Sequence, residues 1–251
     1  MEPQRVGKSY AREAACYDRR WQSYWGSFYD YYEGALVTQL ISSRVPENAR
    51  ILDIPVGTAR LLSKVREGLP KLRCVGADLT PEMLRVASEK LPQDTCSFVS
   101  ADARTIPFAS NTFDFVLSIR FFHLIPAARH MELVEEMIRV VKPGGYLLIE
   151  FNNPLYGLFL GAAFGLRRRL LHGTKGPVAL WPQQVRSLTG PHWRIVEQLG
   201  VYWPGQGRLF RIAPRLATAL GRLGHLWPLR YLTLHTLVCF QKTGSSETIA
   251  G

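Results

Sequence analysis

Apolar and polar positions along this chain follow two alternating periods. Short apolar runs, the first beginning at Ile51 and others at residues 72–77, 97–99, 115–119 and 146–151, have the length and Gly/Pro/Asp punctuation of buried strands. Between them the apolar residues fall on 3.6-residue stripes: Leu61, Leu62, Val65 and Leu69 up to Pro70, then Met83, Leu84, Ala87 and Leu91, then Leu133, Val134, Met137, Ile138 and Val141 within a helix expected over 127–141. Strand and helix in strict alternation predict an α/β fold built on an open sheet, whose ligands bind beyond the carboxyl ends of the strands. Residues 193–203 and 231–241 read as two later strands, separated by a helical stretch carrying Leu216, Leu220, Leu223 and Leu226.

The first strand runs into Ile51–Arg60, ILDIPVGTAR, a turn at its carboxyl end. A dinucleotide fingerprint needs three glycines there so that backbone can approach a pyrophosphate. Those positions hold Pro55, Gly57 and Arg60, and Asp53 would repel phosphates while attracting an ammonium or sulfonium. The second strand ends at Asp78, where a carboxylate can accept hydrogen bonds from both hydroxyls of a ribose. Thr80 is expected to cap the next helix and Pro81 to open it. The pattern predicts a nucleoside cofactor bearing a positive charge.

Taken in order, ILDIPVGTAR, VGADLTPEMLRVA and VVKPGGYLLIE resemble the motifs of the class I S-adenosylmethionine-dependent methyltransferases. Leu52, Asp53 and Gly57 match the first motif, with Pro55 replacing its first glycine and Ala59 its last. The resemblance, which covers about residues 10–151, implies a Rossmann-like seven-stranded methyltransferase sheet with helices on both faces, and S-adenosyl-L-methionine as cofactor. It further implies that Asp102 receives the adenine amino group and that the backbone N–H of Ala103 meets the ring. Leu79, Ser118 and Arg120 complete the cofactor-lining positions, Arg120 facing either the cofactor carboxylate or a carboxylated substrate, the other reading being an arginine that points out to solvent. Asp114 is a structural residue of that family. Tyr17-Asp18 resembles a pair that lies over the cofactor in methyltransferases of the quinone-methylating type.

The loop after the fourth strand, Arg120 to Pro126, faces the point where a methyl group meets its acceptor. His123, with an ordinary pKa near neutrality, is the candidate general base for a protonated acceptor; a histidine that only packs there is the other reading. Four segments follow: an aromatic helical lid over 1–45, the cofactor-binding core over 46–151, a substrate-side cap with the last two strands and a helical insertion over 152–244, and a disordered tail over 245–251. Residues 17, 21, 24, 25, 28 and 32 share one helical face in the first segment, which reads as a face packed onto the core or, functionally, as a lid.

Charge changes the picture mainly in the second half. Residues 1–151 carry 19 Lys+Arg against 18 Asp+Glu, whereas residues 152–251 carry 12 against 2, so nearly all of the net +11 lies there. An uninterrupted apolar run over 155–166 precedes Arg167, Arg168 and Arg169, and reads either as a buried substrate cap or as an element facing an anionic membrane. Four cysteines without C-x-x-C spacing predict reduced thiols in a cytoplasmic protein, and no metal site is expected. The acceptor expected from this composition is a small or lipid-like molecule, with oxygen favoured as the accepting atom. RNA methylation, which would need a basic-aromatic nucleic-acid motif, and a noncatalytic ligand-binding role are the alternatives.

Overall fold

A computed structural model of the chain describes residues 11, 13–22, 24–92, 94–153, 182–188, 193–203 and 206–243. Strands β1 (Arg50–Asp53), β2 (Arg73–Asp78), β3 (Cys96–Ser100), β4 (Phe113–Ser118), β5 (Val141–Asn152), β6 (Trp193–Val201) and β7 (His235–Lys242) form one sheet in the order β3-β2-β1-β4-β5-β7-β6. β1 pairs in parallel with β2 on one side and β4 on the other, so strand order reverses at β1. That reversal opens a crevice beyond Asp53 and Ser118. β7 runs antiparallel to both β5 and β6.

Side chains on successive strand residues point to opposite faces, and both faces are covered. Ile51, Phe115, Leu117 and Leu148 enter one layer with Val37, Leu62 and Val65 of helices α1 (Tyr24–Ser42) and α2 (Arg60–Gly68). Leu52, Val116, Leu147 and Ile149 enter the other, against Leu133, Val134 and Met137; these belong to α4 (His130–Val140), which follows α3 (Pro81–Lys90). Beyond β5 come α5 (Pro182–Ser187), β6, α6 (Gln206–Ile212), α7 (Pro214–Leu223) and a 3-10 turn at Leu229–Leu232. The helical insertion before the last strand is therefore present. Asp114 is structural as expected: its carboxylate accepts from the Arg50 N–H (2.8 Å) and from Lys142 Nζ (2.7 Å).

Several boundaries differ from the sequence pattern for local reasons. Thr80 occupies the N-cap position with Pro81 next, but its side chain makes no capping bond. Residues 127–129 form a separate 3-10 turn before α4. β5 begins at Val141, five residues early, because Gly144 at φ 78° carries a bulge through which the strand resumes pairing at Tyr146. β6 stops at Val201, since Tyr202 at φ 70° turns the chain out of the sheet. The aromatic N-terminal face is divided rather than continuous: Ala14–Cys16 is a 3-10 turn, Tyr17 and Asp18 form a turn, Arg19–Gln22 is one helical turn, and α1 follows. The apolar run at 155–166, the arginines at 167–169 and the tail at 245–251 lie outside the described residues. No helix among the described residues is long and apolar enough to cross a membrane, and the four cysteines are unpaired.

Candidate active site

The carboxyl ends of β1, β2 and β4 surround one cavity, and the N-terminal segment supplies part of its wall. Tyr17, Asp53, Pro55, Gly57, Asp78, Leu79, Asp102, Ala103 and Arg120, scattered over a hundred residues of sequence, all line it. Trp21, Arg60 and Arg104 join them.

The turn after β1 is shaped by exceptional backbone. The Ile54–Pro55 bond is cis, Gly57 has φ 55°, and Ala59, where the resembled motif ends in glycine, sits at φ 56° directly before α2. No atom lies within 4 Å of where a Gly57 side chain would start, so backbone is open to a ligand at that point. The Gly57 N–H donates to Asp78 Oδ2 (2.9 Å) and the Thr80 N–H to Asp78 Oδ1 (2.8 Å), which fixes the carboxylate while leaving each oxygen a further acceptor site. Burial raises the pKa of Asp78 against these two donors.

Asp53 is deeper and is pushed well above the usual carboxylate range by burial, with Asp78 and Glu33 adding to the shift and Arg60 opposing it. Its charge is costly until a cation arrives. In folding, a raised carboxylate pKa means the native state holds more protons than the unfolded chain once pH exceeds about 3.9, so stability falls as pH rises through that window. Asp53→Asn removes the cost. It is expected to stabilise the free protein by about 1 kcal/mol near neutral pH, roughly 3 °C in melting temperature, with a smaller gain near pH 4. Melting curves of both proteins across pH would test this, and an equal or lower melting temperature for the variant at neutral pH would contradict it.

The N-terminal segment is fastened to this turn. Thr58 Oγ1 donates to Asp18 Oδ1 (2.7 Å), and Lys90 Nζ bonds both Asp18 and the Thr58 carbonyl, the latter at 2.8 Å. This clasp forces the break between the short helices and places Tyr17 and Trp21 on the wall. Phe28 and Tyr32, expected on the same face, are instead core residues.

A buried charge network forms the cavity's other side. Arg60 pairs with Asp30 (2.8 Å) and Glu33, Tyr202 donates to Glu33 Oε1 (2.9 Å), and Arg120 Nε stands 3.5 Å from the same oxygen. The Arg120 guanidinium is framed by the rings of Trp21 (5.0 Å), Tyr29 (5.3 Å) and Tyr202 (5.5 Å). Burial disfavours its charge, but Glu33 and Glu150 more than compensate and keep it a cation. Its Nε and Nη2 are nevertheless buried without hydrogen-bond partners. Arg120 also adopts φ 59°, held by its own N–H donating to Glu150 Oε2 (2.8 Å), while Glu150 Oε1 pairs with His235 Nδ1 (3.0 Å). Of these left-handed residues Arg120 lines the cavity and Ala59 lies between Thr58 and Arg60, which also line it, as strained residues do at working sites.

Three expected positions depart from the pattern. Ser118, the last residue of β4, is fully buried with an unpartnered Oγ and does not line the cavity, which the chain reaches only as it leaves the strand, at Ile119 and Arg120. His123 does not line the cavity either; the 3-10 turn Phe122–Leu124 brings Phe121 and Leu124 to the wall, and the titratable neighbours of His123 are Glu150, His235 and Arg120. Burial lowers its pKa, with His235 and Arg120 adding and Glu150 opposing, so it is neutral near pH 7. Asp102 is on the wall, but Arg104 engages both of its oxygens at 2.5–3.0 Å, and an incoming amino group would have to displace it. Nothing in the sequence pattern pointed to Glu33, Tyr202 or the Glu150–His235 pair; the available signal was Asp30 and Glu33 one turn apart in an aromatic helix. His130, also unremarked, shares its Nε2 between the carbonyls of Phe122 and Ile125 (both 3.0 Å) and staples the loop.

These groups suit S-adenosyl-L-methionine: Asp78 for a ribose diol, Asp53 for positive charge, the open face of Gly57 for close approach, and the Arg120 guanidinium on the wall for an anion. A methyltransferase domain model matches residues 51–145. Over 157 residues the chain is 32% identical to a demethylmenaquinone methyltransferase of Thermus thermophilus, covering 57% of this chain and 68% of that protein. It is 33% identical to the demethylmenaquinone methyltransferase of Deinococcus radiodurans, over 57% of this chain and 62% of the relative. With the ubiquinone/menaquinone biosynthesis C-methyltransferase UbiE of Pseudomonas paraeruginosa it shares 38% identity over 45% of each chain. The chain therefore spans less than two thirds of the length of these last two relatives. A SAM-dependent methyltransferase structure from Thermotoga maritima superposes with a TM-score of 0.63 at 15% identity, over 93% of this chain and 98% of that one, which is a likeness of fold. Motifs, sheet order and relatives agree: the chain belongs to the class I S-adenosylmethionine-dependent methyltransferase family.

Proposed function

We propose that this protein transfers a methyl group from S-adenosyl-L-methionine to a ring carbon of a quinone-type, lipid-like aromatic acceptor in its reduced, hydroxylated form. The observation that carries the reading is Arg120: a half-buried guanidinium that lines the cavity, kept cationic by Glu33 and Glu150 and ringed by Trp21, Tyr29 and Tyr202. The bound cofactor supplies an electrophilic methyl group. Asp78 holds the ribose, Asp53 the positively charged end, and Tyr17 with Trp21 closes the cavity from the N-terminal side and excludes water.

Arg120 pairs with the hydroxyl oxygen of the acceptor and stabilises it as an oxyanion. The hydroxyl proton would leave to solvent before the cavity closes, and the negative charge would spread into the ring while the guanidinium occupies the oxygen. An ortho carbon would then take the methyl group as the methyl's bond to sulfur breaks, and the ring hydrogen at that carbon would leave as a proton to restore aromaticity. Relatives named for demethylmenaquinone and for C-methylation support carbon as the accepting atom, in place of the oxygen expected from the sequence. Trp21, the ring of that frame that lines the cavity, offers a flat acceptor a surface to stack against. Arg120 also displaces His123 as the residue proposed at the reacting centre, since His123 is off the wall; His123→Ala is expected to keep most of the activity.

The test is a labelled-methyl assay with reduced naphthoquinones, simple catechols and bulk RNA offered side by side. Label is expected in the naphthoquinol, bonded to carbon by mass spectrometry. Label in RNA alone, or only as an ether, would refute the assignment.

A further inference from the structure

The insertion between β6 and β7 is built inside out. α7 docks on the protein through its smallest residues: Ala217 and Gly221 are buried, and a side chain at Gly221 would collide with Tyr32 at 2.7 Å. Further ties are the Gly200 N–H to the Gly224 carbonyl (2.8 Å), Gln206 Nε2 to the Ala217 carbonyl (2.8 Å) and the Tyr32 hydroxyl with His225 Nε2 (3.2 Å). The large apolar residues point the other way. Seven of the ten exposed large hydrophobic side chains among the described residues fall within 212–232, led by Ile212 at 79% and Trp227 at 73% exposure. Single exposed leucines are ordinary, but a contiguous set on one element marks an interaction surface.

The charge beside this set identifies its partner. On α7, Leu216, Leu220 and Leu223 share one face, with Ala217 and Gly221 on one flank and Arg215 and Arg222 on the other. Arg208, Arg215 and Arg222 are exposed and form no ion pair among the described residues, and residues 206–243 contain no Asp or Glu. Arg215 and Arg222 also line a shallow depression with Tyr31 and Phe210. A helix lying in a bilayer interface has this make-up: leucines and a tryptophan toward the acyl chains, arginines at the height of anionic headgroups.

We infer that α7 and the following turn, through Leu216, Leu220, Leu223 and Trp227 with Arg215 and Arg222, dock this protein on an anionic lipid surface. The docking does not depend on the acceptor being a quinone. It places the molecule at the membrane by the element that packs on α1, whose Asp30 and Glu33 hold the cavity's arginines.

Vesicle flotation tests this with the full chain, using phosphatidylcholine alone and phosphatidylcholine mixed with phosphatidylglycerol. The protein is expected to float with the mixed vesicles and stay behind with the neutral ones. R215Q/R222Q is expected to weaken binding about 30-fold, about fivefold for each arginine lost, and L216S/L223S about tenfold or more. Both variants should retain the wild-type melting temperature and cofactor affinity, because the altered residues lie outside the cavity. Flotation that ignores lipid charge, that persists in both variants, or that never occurs overturns the inference. So does a wild-type dimer that L216S/L223S converts to monomer, which would assign the face to a second copy. Salt-sensitive RNA binding lost in R215Q/R222Q, without flotation, would assign it to nucleic acid.

Discussion

Asp78→Ala is expected to weaken cofactor affinity by about 100-fold or more, since two hydrogen bonds to a charged acceptor are lost, at about 1.5–3 kcal/mol each. The loss has a second source. Asp78 also accepts the Gly57 and Thr80 N–H groups at 2.9 and 2.8 Å, so its removal releases the turn on which the cofactor would rest. Asp78→Asn separates the two, because an amide oxygen can still accept but carries no charge; an intermediate loss is expected. Titration calorimetry with S-adenosylhomocysteine reads both variants directly. Affinity within about threefold of wild type for Asp78→Ala would remove Asp78 from the site.

Arg120→Gln is expected to lower kcat by about 10²–10³-fold, the usual effect of removing a donor aimed at developing negative charge. Cofactor affinity should change little, because the proposal pairs Arg120 with the acceptor. If the guanidinium instead holds the cofactor's carboxylate, the same variant loses affinity and kcat survives, so the division between Kd and kcat decides the role. The substitution also strips a counter-charge from Glu33, which is 1% exposed, and stability must be followed beside activity. Arg60 and Tyr202 still contact Glu33 in the variant, which limits the damage. Arg120→Lys tests geometry: it restores charge without the planar fork, and partial recovery of kcat is expected.

Much of the fold was readable because the signals are local. The apolar stripe of Leu61, Leu62 and Val65, the punctuation at Pro70 and Pro81, and the carboxylates closing β1 and β2 depend on neighbours in sequence. Boundaries moved where a single backbone angle intervened, as at Gly144 and Tyr202, since φ at a non-repeating position leaves little trace in an apolar pattern. The long aromatic face at the N-terminus was divided for a different reason: Asp18 is held by Thr58 and Lys90, residues 40 and 72 positions away.

The sequence alone determined the cofactor half of this protein. Asp53, Gly57 and Asp78 sit next to strand ends that their own segments form, and the parallel sheet brings those ends together by construction. Which residues line the cavity depends on contacts between elements far apart in the chain. Ser118 stays buried inside the strand, a 3-10 turn keeps His123 off the wall, and the charge and setting of Arg120 depend on Glu33, Tyr202 and Glu150, which come from three other elements. Only the tertiary structure decided that α7 turns its leucines outward, because Tyr32 of a distant helix leaves room for nothing larger than Gly221 beneath it. Burial and pairing across long separations set the charge and orientation of a side chain, and neither is written in its local sequence.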